Sequence, residues 1–234
     1  MRLTDNLYML SGSAYGVIGN VYAIVNDQKM IMIDCGQDQT GLDTILWSLN
    51  YHGLEKLPIT HMLITHMHID HTGNAWYFAE QGTKIIAGAS DANGIEQGGV
   101  LVNDFGMENY TTCKVDTRLE GDCEFTLNGI DFKAWHMPGH TNGGMFYTFT
   151  LDHLSMVATG DTVFPEPARF DKGLAAALGW EGSYEFDRKK YMQSLERALQ
   201  IKAQVLLGGH GMPIMRNGSH VIGLGYKKTL KEYR

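Results

Sequence analysis

The sequence predicts an α/β protein in which two mixed halves pack sheet against sheet, with helices on the outside. Segments with strand-like apolar spacing and segments with helical apolar spacing alternate in both halves of the chain. No linker, short repeat or low-complexity tract separates the two halves. The length of 234 residues suits one large domain or two closely packed halves. We therefore expect residues 1–234 to form a single domain.

The first half of the chain is predicted to follow the order strand, strand, strand, helix, strand. β-rich runs at 21–25 and 30–34 are separated by a turn-like polar segment. Ile45, Leu46, Leu49 and Leu54 recur at roughly helical spacing, and an extended apolar run follows at 57–65. A second helical stretch is expected around residues 75–79, and a further strand at 84–87.

The second half begins with an aperiodic stretch, 91–111, that predicts a loop with one short helix. Residues 112–159 alternate in strand fashion, and the dipeptide Asn128-Gly129 between apolar runs predicts a tight hairpin. A loop is expected from 162 to about 185. A helix marked by Tyr191, Leu195 and Ala198, a strand at 205–207 and a short surface helix at the end complete the prediction.

Composition and charge disfavour several classes of partner. The net charge is −7, and the sequence shows no Lys/Arg cluster of the kind that binds nucleic acid. No stretch approaches the ~20 apolar residues of a membrane helix, and the first residues lack the apolar core of a signal peptide. We expect a cytoplasmic protein, with no nucleic-acid or membrane partner, that acts on a small-molecule substrate.

The chain has three cysteines without C-x-x-C spacing, and an odd number argues against a secreted disulfide framework. Cys35 follows an apolar run and is expected to be a small buried thiol. A bridge between Cys113 and Cys123 is left open by the sequence.

A dense cluster of metal-ligating residue types follows the run at 57–65. His66, His68, Asp70 and His71 fall within six residues. On an extended segment His66 and His68 point to the same side, because side chains alternate with a period of two. Imidazole nitrogen and carboxylate oxygen suit borderline divalent metals. A helix start with a capping aspartate and incidental histidines is the alternative, and it explains four candidate ligands less well than a metal site does.

Three further segments place candidate ligands at the ends of predicted strands. His140 lies in the glycine-rich turn 138–144, Asp161 follows an apolar run at 154–158, and His210 follows the strand at 205–207. A single histidine in a turn is more often solvated or hydrogen-bonded, so each segment alone is a weak signal. Together with the cluster at 66–71 they predict that distant segments converge on one metal centre.

In this order along the chain, the motifs H-x-H-x-D-H, G-H-T, G-D and G-H-G resemble those of the metallo-β-lactamase-fold hydrolase superfamily. The resemblance covers nearly the whole chain. It implies a four-layer αββα sandwich of the metallo-β-lactamase type, with the active site at one edge between the two halves.

The resemblance also implies roles for individual residues. One metal ion would be held by His66, His68 and His140, a second by Asp70, His71 and His210, and Asp161 would bridge both. Asp34, at the end of a predicted strand, matches an aspartate that orients a ligand histidine from behind the site. The alternative for Asp34 is a turn aspartate preceding Gly36.

Such a centre predicts hydrolytic chemistry. Two metal ions about 3.5–4 Å apart can share a hydroxide, and coordination lowers the pKa of water from ~15.7 to about 7. We expect two divalent ions per chain, zinc first, with iron and manganese as alternatives. The predicted reaction is cleavage of a small ester, lactone, thioester or amide by a metal-bridging hydroxide. By analogy with the family, Asp70 is the candidate catalytic residue that takes or relays a proton.

Departures from the patterns of particular family members narrow the prediction. His68 stands where flavin-coupled di-iron oxygen reductases have glutamate, and Asp161 where Cys-ligated zinc β-lactamases have cysteine. Glyoxalase II-like thioesterases share all seven ligand types but usually carry a C-terminal helical domain, whereas this sequence ends soon after His210. Quorum-signal lactonases often have tyrosine at the position of Phe164. Phosphodiester hydrolysis on the same centre and a single-iron activity like that of persulfide dioxygenases are the alternatives.

The stretch 162–185 is the candidate substrate lid, because it lies between two candidate ligands and is rich in large apolar residues, Phe170 and Leu178 among them. Phe164, Trp180 and Tyr184 are the candidate substrate contacts. The alternative is a loop that packs its own apolar side chains. Residues 91–110 are a weaker second candidate for a lid.

Overall fold

A computed structural model of the chain describes residues 1–102, 109–166 and 173–233. A short 3₁₀ helix covers Ser13–Tyr15. The strands are β1 (Leu7–Ser11), β2 (Val21–Asn26), β3 (Lys29–Ile33), β4 (Ile59–Leu63), β5 (Lys84–Gly88), β6 (Thr117–Leu119), β7 (Cys123–Leu127), β8 (Ile130–His136), β9 (Met145–Leu151), β10 (Leu154–Gly160), β11 (Phe164–Pro165), β12 (Ala176–Ala177) and β13 (Val205–Gly208). The α-helices are α1 (Gln39–Tyr51), α2 (Ile69–Thr72), α3 (Ala75–Glu80), α4 (Ala89–Gln97), α5 (Arg188–Ala198) and α6 (Gly218–Glu232).

Two sheets form the centre of the molecule. The first has the strand order β1-β2-β3-β4-β5-β6, and the second the order β13-β10-β9-β8-β7. In the first sheet the strands pair antiparallel from β1 to β3 and parallel from β3 to β6. In the second sheet β10 pairs parallel with β13, and the other pairs are antiparallel. β11 and β12 form a small separate ribbon.

The sheets pack face to face, since one apolar cluster draws residues from both. Met9 and Ile31 of the first sheet join Phe132 and Tyr147 of the second in this cluster. Alternate residues of the same strands, such as Leu10, face the other way and pack against a helical layer. Burial on both faces explains why these strands have nearly continuous apolar sequences.

Helices cover the outer face of each sheet. Leu42 and Ile45 of α1 pack on the first sheet, and Leu195 of α5 and Val221 of α6 pack on the second. The helices α1 and α5 begin at aspartate caps whose side chains accept backbone N–H bonds. The resulting order of layers, helix, sheet, sheet, helix, confirms the predicted four-layer αββα sandwich.

Several boundaries differ from the prediction. Leu54 lies beyond the end of α1 at Tyr51, and α6 is not a short surface helix, because it spans fifteen residues and buries Val221 and Ile222. Within 162–185 the chain forms β11 and β12 in place of a continuous loop. Asn128 and Gly129 both have positive φ, at 48° and 77°, as the predicted hairpin turn requires.

The structure describes only part of each of the two candidate lids. Residues 103–108 of the 91–110 stretch, and residues 167–172 of the 162–185 stretch, with Phe170 among them, lie outside the described residues. The described part of the first stretch contains α4, the short helix that was expected there.

All three cysteines are free thiols, with Cys35 buried, so Cys113 and Cys123 do not form a bridge. Among the described residues, no helix combines the length and the apolar character needed to cross a membrane.

Candidate metal centre

The candidate ligands lie where strands of both sheets end at one edge of the sandwich. His66 and His68 follow β4, and Asp70 and His71 lie in the short α2 that comes next. His140 lies in the turn between β8 and β9, Asp161 follows β10, and His210 follows β13. The structure therefore brings together all seven residues singled out in the sequence.

Glycines make the close approach of these segments feasible. A Cβ atom on Gly160, which has a φ of 48°, would lie 2.6 Å from Oγ1 of Thr65. A Cβ atom on Gly209 would lie 2.1 Å from Oδ1 of Asp161. A side chain at either position would force apart the segments that carry the candidate ligands.

The first group of candidate ligands consists of His66, His68 and His140, all buried. One potential ligand atom of each lies within 4.8 Å of those of the other two. The ring centroids are 4.6 Å apart for His68 and His140 and 4.7 Å apart for each of the other two pairs. Three imidazoles that converge in this way form one face of a tetrahedral nitrogen site.

Burial keeps the histidines of the first group uncharged. Burial lowers the pKa of His68 to about 4 and that of His140 to about 3. Burial, followed by the neighbouring histidines, places the pKa of His66 well below its usual range. These imidazoles are uncharged at neutral pH, so their nitrogen lone pairs are available to a cation.

The second group consists of Asp70, His71, Asp161 and His210. Nε2 of His71 lies 3.3 Å from Oδ2 of Asp70 and 3.2 Å from Oδ1 of Asp161. Nε2 of His210 lies 3.2 Å from Oδ2 of Asp70 and 3.0 Å from Oδ2 of Asp161. Two carboxylates and two imidazoles thus face one small space.

Carboxylates dominate the electrostatics of the second group. Burial by itself would lower the pKa of His71, but Asp70, Asp161 and Asp34 outweigh it and hold this pKa well above its usual value. In the same way Asp161 and Asp70 outweigh burial and raise the pKa of His210 to about 10. The group therefore favours positive charge, which a divalent ion supplies.

Asp161 lies between the two groups. Its Oδ2 atom is 3.0 Å from Nε2 of His210 in the second group and 3.9 Å from Nε2 of His140 in the first. A carboxylate offers two oxygen atoms, so one side chain at this position can reach two neighbouring cations.

Two histidine nitrogens without a hydrogen-bond partner among the described residues support the fit of this site to metal ions. Nε2 of His66 and Nε2 of His140 are buried and have no hydrogen-bond partner among the described residues. Buried polar atoms rarely go unpaired, and a bound cation would satisfy the lone pairs of both nitrogens. Nitrogen and carboxylate oxygen are also the donors that zinc and related metals accept.

Asp34 contacts the second group from behind. It follows β3 with a φ of 58°, a left-handed conformation that is uncommon for residues other than glycine. Its Oδ2 atom accepts hydrogen bonds from Nδ1 of His71 at 2.9 Å and from the hydroxyl of Thr65 at 2.7 Å, and its Oδ1 atom accepts from the Thr65 N–H at 2.8 Å. These bonds leave Nε2 of His71 facing the candidate ligands.

Asp91 is a buried carboxylate near the site that the sequence gave no reason to single out. It lies in the first turn of α4 and binds the turns that carry His66, His68 and His140. Burial raises the pKa of Asp91 to about 7. Its sequence context is an aperiodic stretch, and its partners are distant in the chain, so no motif pointed to it.

A cavity of about 720 Å³ opens over the candidate ligands. Its wall contains candidate ligands from both groups together with Gln37 and four apolar residues, Ile18, Phe164, Leu178 and Trp180. Phe164 and Trp180 were predicted substrate contacts, and Leu178 was expected only as part of the lid. Ile18 was not expected, because an isolated apolar residue in a loop gives no periodic signal.

The structure does not place Tyr184 at this cavity. Its side chain is 71% exposed, and it is absent from the cavity wall. The neighbouring residues hold the segment elsewhere: the hydroxyl of Ser183 donates to the carbonyl of His140, and Glu185 accepts from the N–H of Asn142. Tyr184 was predicted as a substrate contact, and the structure places it outside the wall of this cavity.

Comparison with known proteins gives one family. A family model described as the metallo-beta-lactamase superfamily matches residues 14–210. A beta-lactamase-like protein 2 homolog of Drosophila melanogaster is 30% identical over 214 residues, which cover 90% of this chain and 65% of that protein. An atrochrysone carboxyl ACP thioesterase of Aspergillus fumigatus is 26% identical over 83% of this chain and 51% of its own length. The chain thus spans between half and two thirds of the length of these curated relatives.

Solved structures agree on the fold. A subclass B3 metallo-beta-lactamase of Bradyrhizobium japonicum superposes with a TM-score of 0.78 and 21% identity, over 100% of this chain and 91% of that one. At this level of identity the similarity concerns the fold alone.

Proposed function

The chain belongs to the metallo-beta-lactamase superfamily, and from this premise we propose that it is a hydrolase that uses two divalent metal ions, zinc being the expected one. The observation that carries the proposal is the convergence of seven nitrogen and oxygen ligands from distant segments into two adjacent groups with Asp161 between them.

Each group of ligands has its own part in the proposal. His66, His68 and His140 would hold one ion, Asp70, His71 and His210 would hold the other, and Asp161, which lies between the two groups, would be a ligand to both. A pair of ions, when bound, lowers the pKa of water and so supplies a nucleophile at neutral pH. Asp34 orients His71 through the bond to Nδ1.

Asp70 is the proposed catalytic residue. Its carboxylate is in the cavity wall, and its Oδ2 atom lies 3.2 Å from Nε2 of His210. Although burial raises its pKa, His71 and His210 outweigh burial and place the pKa of Asp70 well below its usual value. Asp70 is therefore a carboxylate at neutral pH, and its proposed role is to take or relay a proton of a group that reacts in the cavity.

The proposed substrate is a small carboxylic ester, lactone, thioester or amide with an apolar group. Ile18, Phe164, Leu178 and Trp180 are the apolar residues of the cavity wall. Trp180 is 45% exposed and Ile18 56% exposed, so both offer apolar surface for a substrate to cover. The thioesterase among the relatives supports an acyl substrate.

Hydrolysis assays of wild type and Asp161→Ala, combined with elemental analysis, test the proposal. The panel contains p-nitrophenyl esters, a lactone, a thioester, an anilide and a chromogenic phosphodiester. We expect about two metal ions per wild-type chain, turnover of an acyl substrate, and loss of both in Asp161→Ala. Asp131→Ala is the matched control, because Asp131 is an exposed aspartate that bonds only Thr126 among the described side chains.

Full turnover in Asp161→Ala would refute the proposal. Turnover of the phosphodiester alone would redirect it to phosphoester substrates.

A further inference from the structure

We propose that Asp91 is a positioning residue that locks the turn carrying His66 and His68 onto the turn carrying His140, and so sets the geometry of the first metal site. This inference rests on the proposed metal-binding function. The three hydrogen bonds of Asp91 go to residues adjacent to the candidate ligands and not to the ligand side chains themselves. Asp91 would therefore act through the backbone that carries the ligands.

Three short hydrogen bonds define the contact. Oδ2 of Asp91 accepts from the N–H of Met67 at 2.9 Å and from the hydroxyl of Thr141 at 2.8 Å. Oδ1 accepts from the N–H of Gly143 at 2.6 Å. Met67 separates His66 from His68, and Thr141 directly follows His140. One carboxylate therefore binds next to all three histidines.

The contact joins parts of the chain that otherwise belong to different sheets. Asp91 and Met67 follow β5 and β4 of the first sheet, whereas Thr141 and Gly143 lie in the turn between β8 and β9 of the second. The first metal site needs imidazoles from both sides at ring separations of 4.6–4.7 Å. A side chain bonded to both turns would hold their backbones together, and through them would set the separation of the imidazoles.

Glycine packing shows that the two turns are fitted closely together. A Cβ atom on Gly143 would lie 2.4 Å from the backbone nitrogen of Asp91 and 2.5 Å from its Oδ1 atom. A Cβ atom on Gly88 would lie 2.0 Å from the carbonyl oxygen of Gly143. The backbone of the turn that carries His140 thus packs against the start of α4 and leaves no room for another side chain.

Helix capping does not account for Asp91. The N-cap of α4 is Gly88, which has no side chain, and the Asp91 oxygens bond to turns outside the helix. Asp91 is 0% exposed, and a buried carboxylate is costly unless its hydrogen bonds are satisfied. The three bonds to the ligand turns supply that compensation, and a carboxylate can accept all of them at once.

Metal affinity and the Co²⁺ spectrum of four variants test this inference. Asp91→Asn keeps the size of the side chain but replaces one acceptor oxygen with a donor. Thr141→Val removes only the hydroxyl, while Thr141→Ser keeps it. Asp116→Asn is the control, since Asp116 also accepts a backbone N–H bond, from Ile85, but lies outside the site. Each protein is titrated with Co²⁺ and then with a chelator, and unfolding is followed in excess chelator.

We expect Asp91→Asn and Thr141→Val to lose about 10- to 100-fold in affinity for one of the two ions and to change the visible Co²⁺ spectrum. Thr141→Ser and Asp116→Asn are expected to behave like wild type in both measurements, even if their unfolding temperatures fall. If Asp91→Asn fails to fold, the pair Thr141→Val and Thr141→Ser decides the question.

Two outcomes separate this inference from the proposed function. Wild type that binds two Co²⁺ ions, with Asp91→Asn and Thr141→Val indistinguishable from it in affinity and spectrum, would overturn the role of Asp91 and leave the hydrolase proposal intact. Wild type that binds no Co²⁺ pair would overturn the proposed function, and the role of Asp91 with it.

Discussion

The Asp34 carboxylate accepts a hydrogen bond from Nδ1 of His71 at 2.9 Å, and both side chains are almost completely buried. This bond places the proton on Nδ1 and directs Nε2 of the imidazole towards Asp70 and Asp161. The imidazole of His71 is thereby held in one orientation, with Nε2 facing the other candidate ligands of the second group.

Asp34→Asn is predicted to weaken metal binding about 10- to 100-fold and to lower kcat, because the amide holds His71 less firmly than the carboxylate does. Asparagine also tolerates the left-handed backbone of this position, so the substitution adds no strain. Metal content after dialysis against graded chelator measures the effect. Unchanged metal retention would show that Asp34 is only a turn residue, as the alternative interpretation holds.

Trp180→Ala is predicted to lower kcat/KM roughly tenfold for esters with a phenyl or long alkyl group, since it removes apolar cavity wall. Acetate esters should be affected little, and the metal content should not change. The matched control is Trp47→Ala, because Trp47 is also exposed, at 56%, but lies on α1 outside the cavity. Equal losses for acetate and for long esters would contradict a substrate-contact role.

Gly179→Ala is predicted to abolish most activity and to reduce metal content. A Cβ atom at this position would lie 2.6 Å from Nδ1 of His140 and 2.7 Å from the carbonyl oxygen of Asp161, and we expect the strain to displace His140 or Asp161. Gly223→Ala in α6 is the control, because among the described residues its Cβ would meet no atom within 4 Å apart from its own helix and chain neighbours, and alanine favours a helix. If Gly179→Ala kept wild-type metal content and turnover, the added methyl group would be accommodated without displacing the candidate ligands, and the prediction would be wrong.

The pH dependence of stability is predicted to include a contribution from Asp152. Its oxygens accept hydrogen bonds from the Thr4 hydroxyl at 2.5 Å and from the N–H and side-chain amide of Asn6 at 2.9 Å and 2.6 Å. Burial alone would raise the pKa of Asp152, but these bonds outweigh it and hold the pKa below the ordinary 3.8. The contribution is therefore fully present above the unfolded-state pKa and is lost as pH falls through the lower folded-state pKa.

Carboxyl-carbon NMR titration measures this pKa directly, and urea unfolding of wild type and Asp152→Asn between about pH 2 and pH 6 measures its consequence. The stability difference between the two proteins should shrink as the pH falls below about 4. A pKa of Asp152 at or above 3.8, or a difference that grows in acid, would contradict the prediction.

The ligand cluster was predictable because its signal is local. Four candidate ligands within 66–71 point to one site, and strand ends preceding Asp161 and His210 indicate where those residues meet the cluster. The α/β class followed from the alternation of strand-like and helical apolar spacing, and the four-layer sandwich from the resemblance carried by the ordered motifs. These are properties of short segments, and the tertiary structure preserves them.

Several residues around the site could not be placed from the sequence, because their positions depend on contacts between segments that are distant in the chain. Asp91 is recognisable only when Met67 and Thr141 are seen on either side of it. Tyr184 lies outside the cavity wall, in a segment whose neighbours Ser183 and Glu185 are hydrogen-bonded to the turn that carries His140. Ile18 reaches the cavity from a loop near the start of the chain.

The most direct test of the proposed two-metal centre is a crystal structure of zinc-loaded protein with anomalous data at the zinc edge. We expect two peaks about 3.5–4 Å apart, one bound by His66, His68 and His140, the other by Asp70, His71 and His210, with Asp161 contacting both. A single peak at another place would contradict the two-metal centre. The absence of any peak in crystals of protein that is saturated with zinc in solution would contradict it as well.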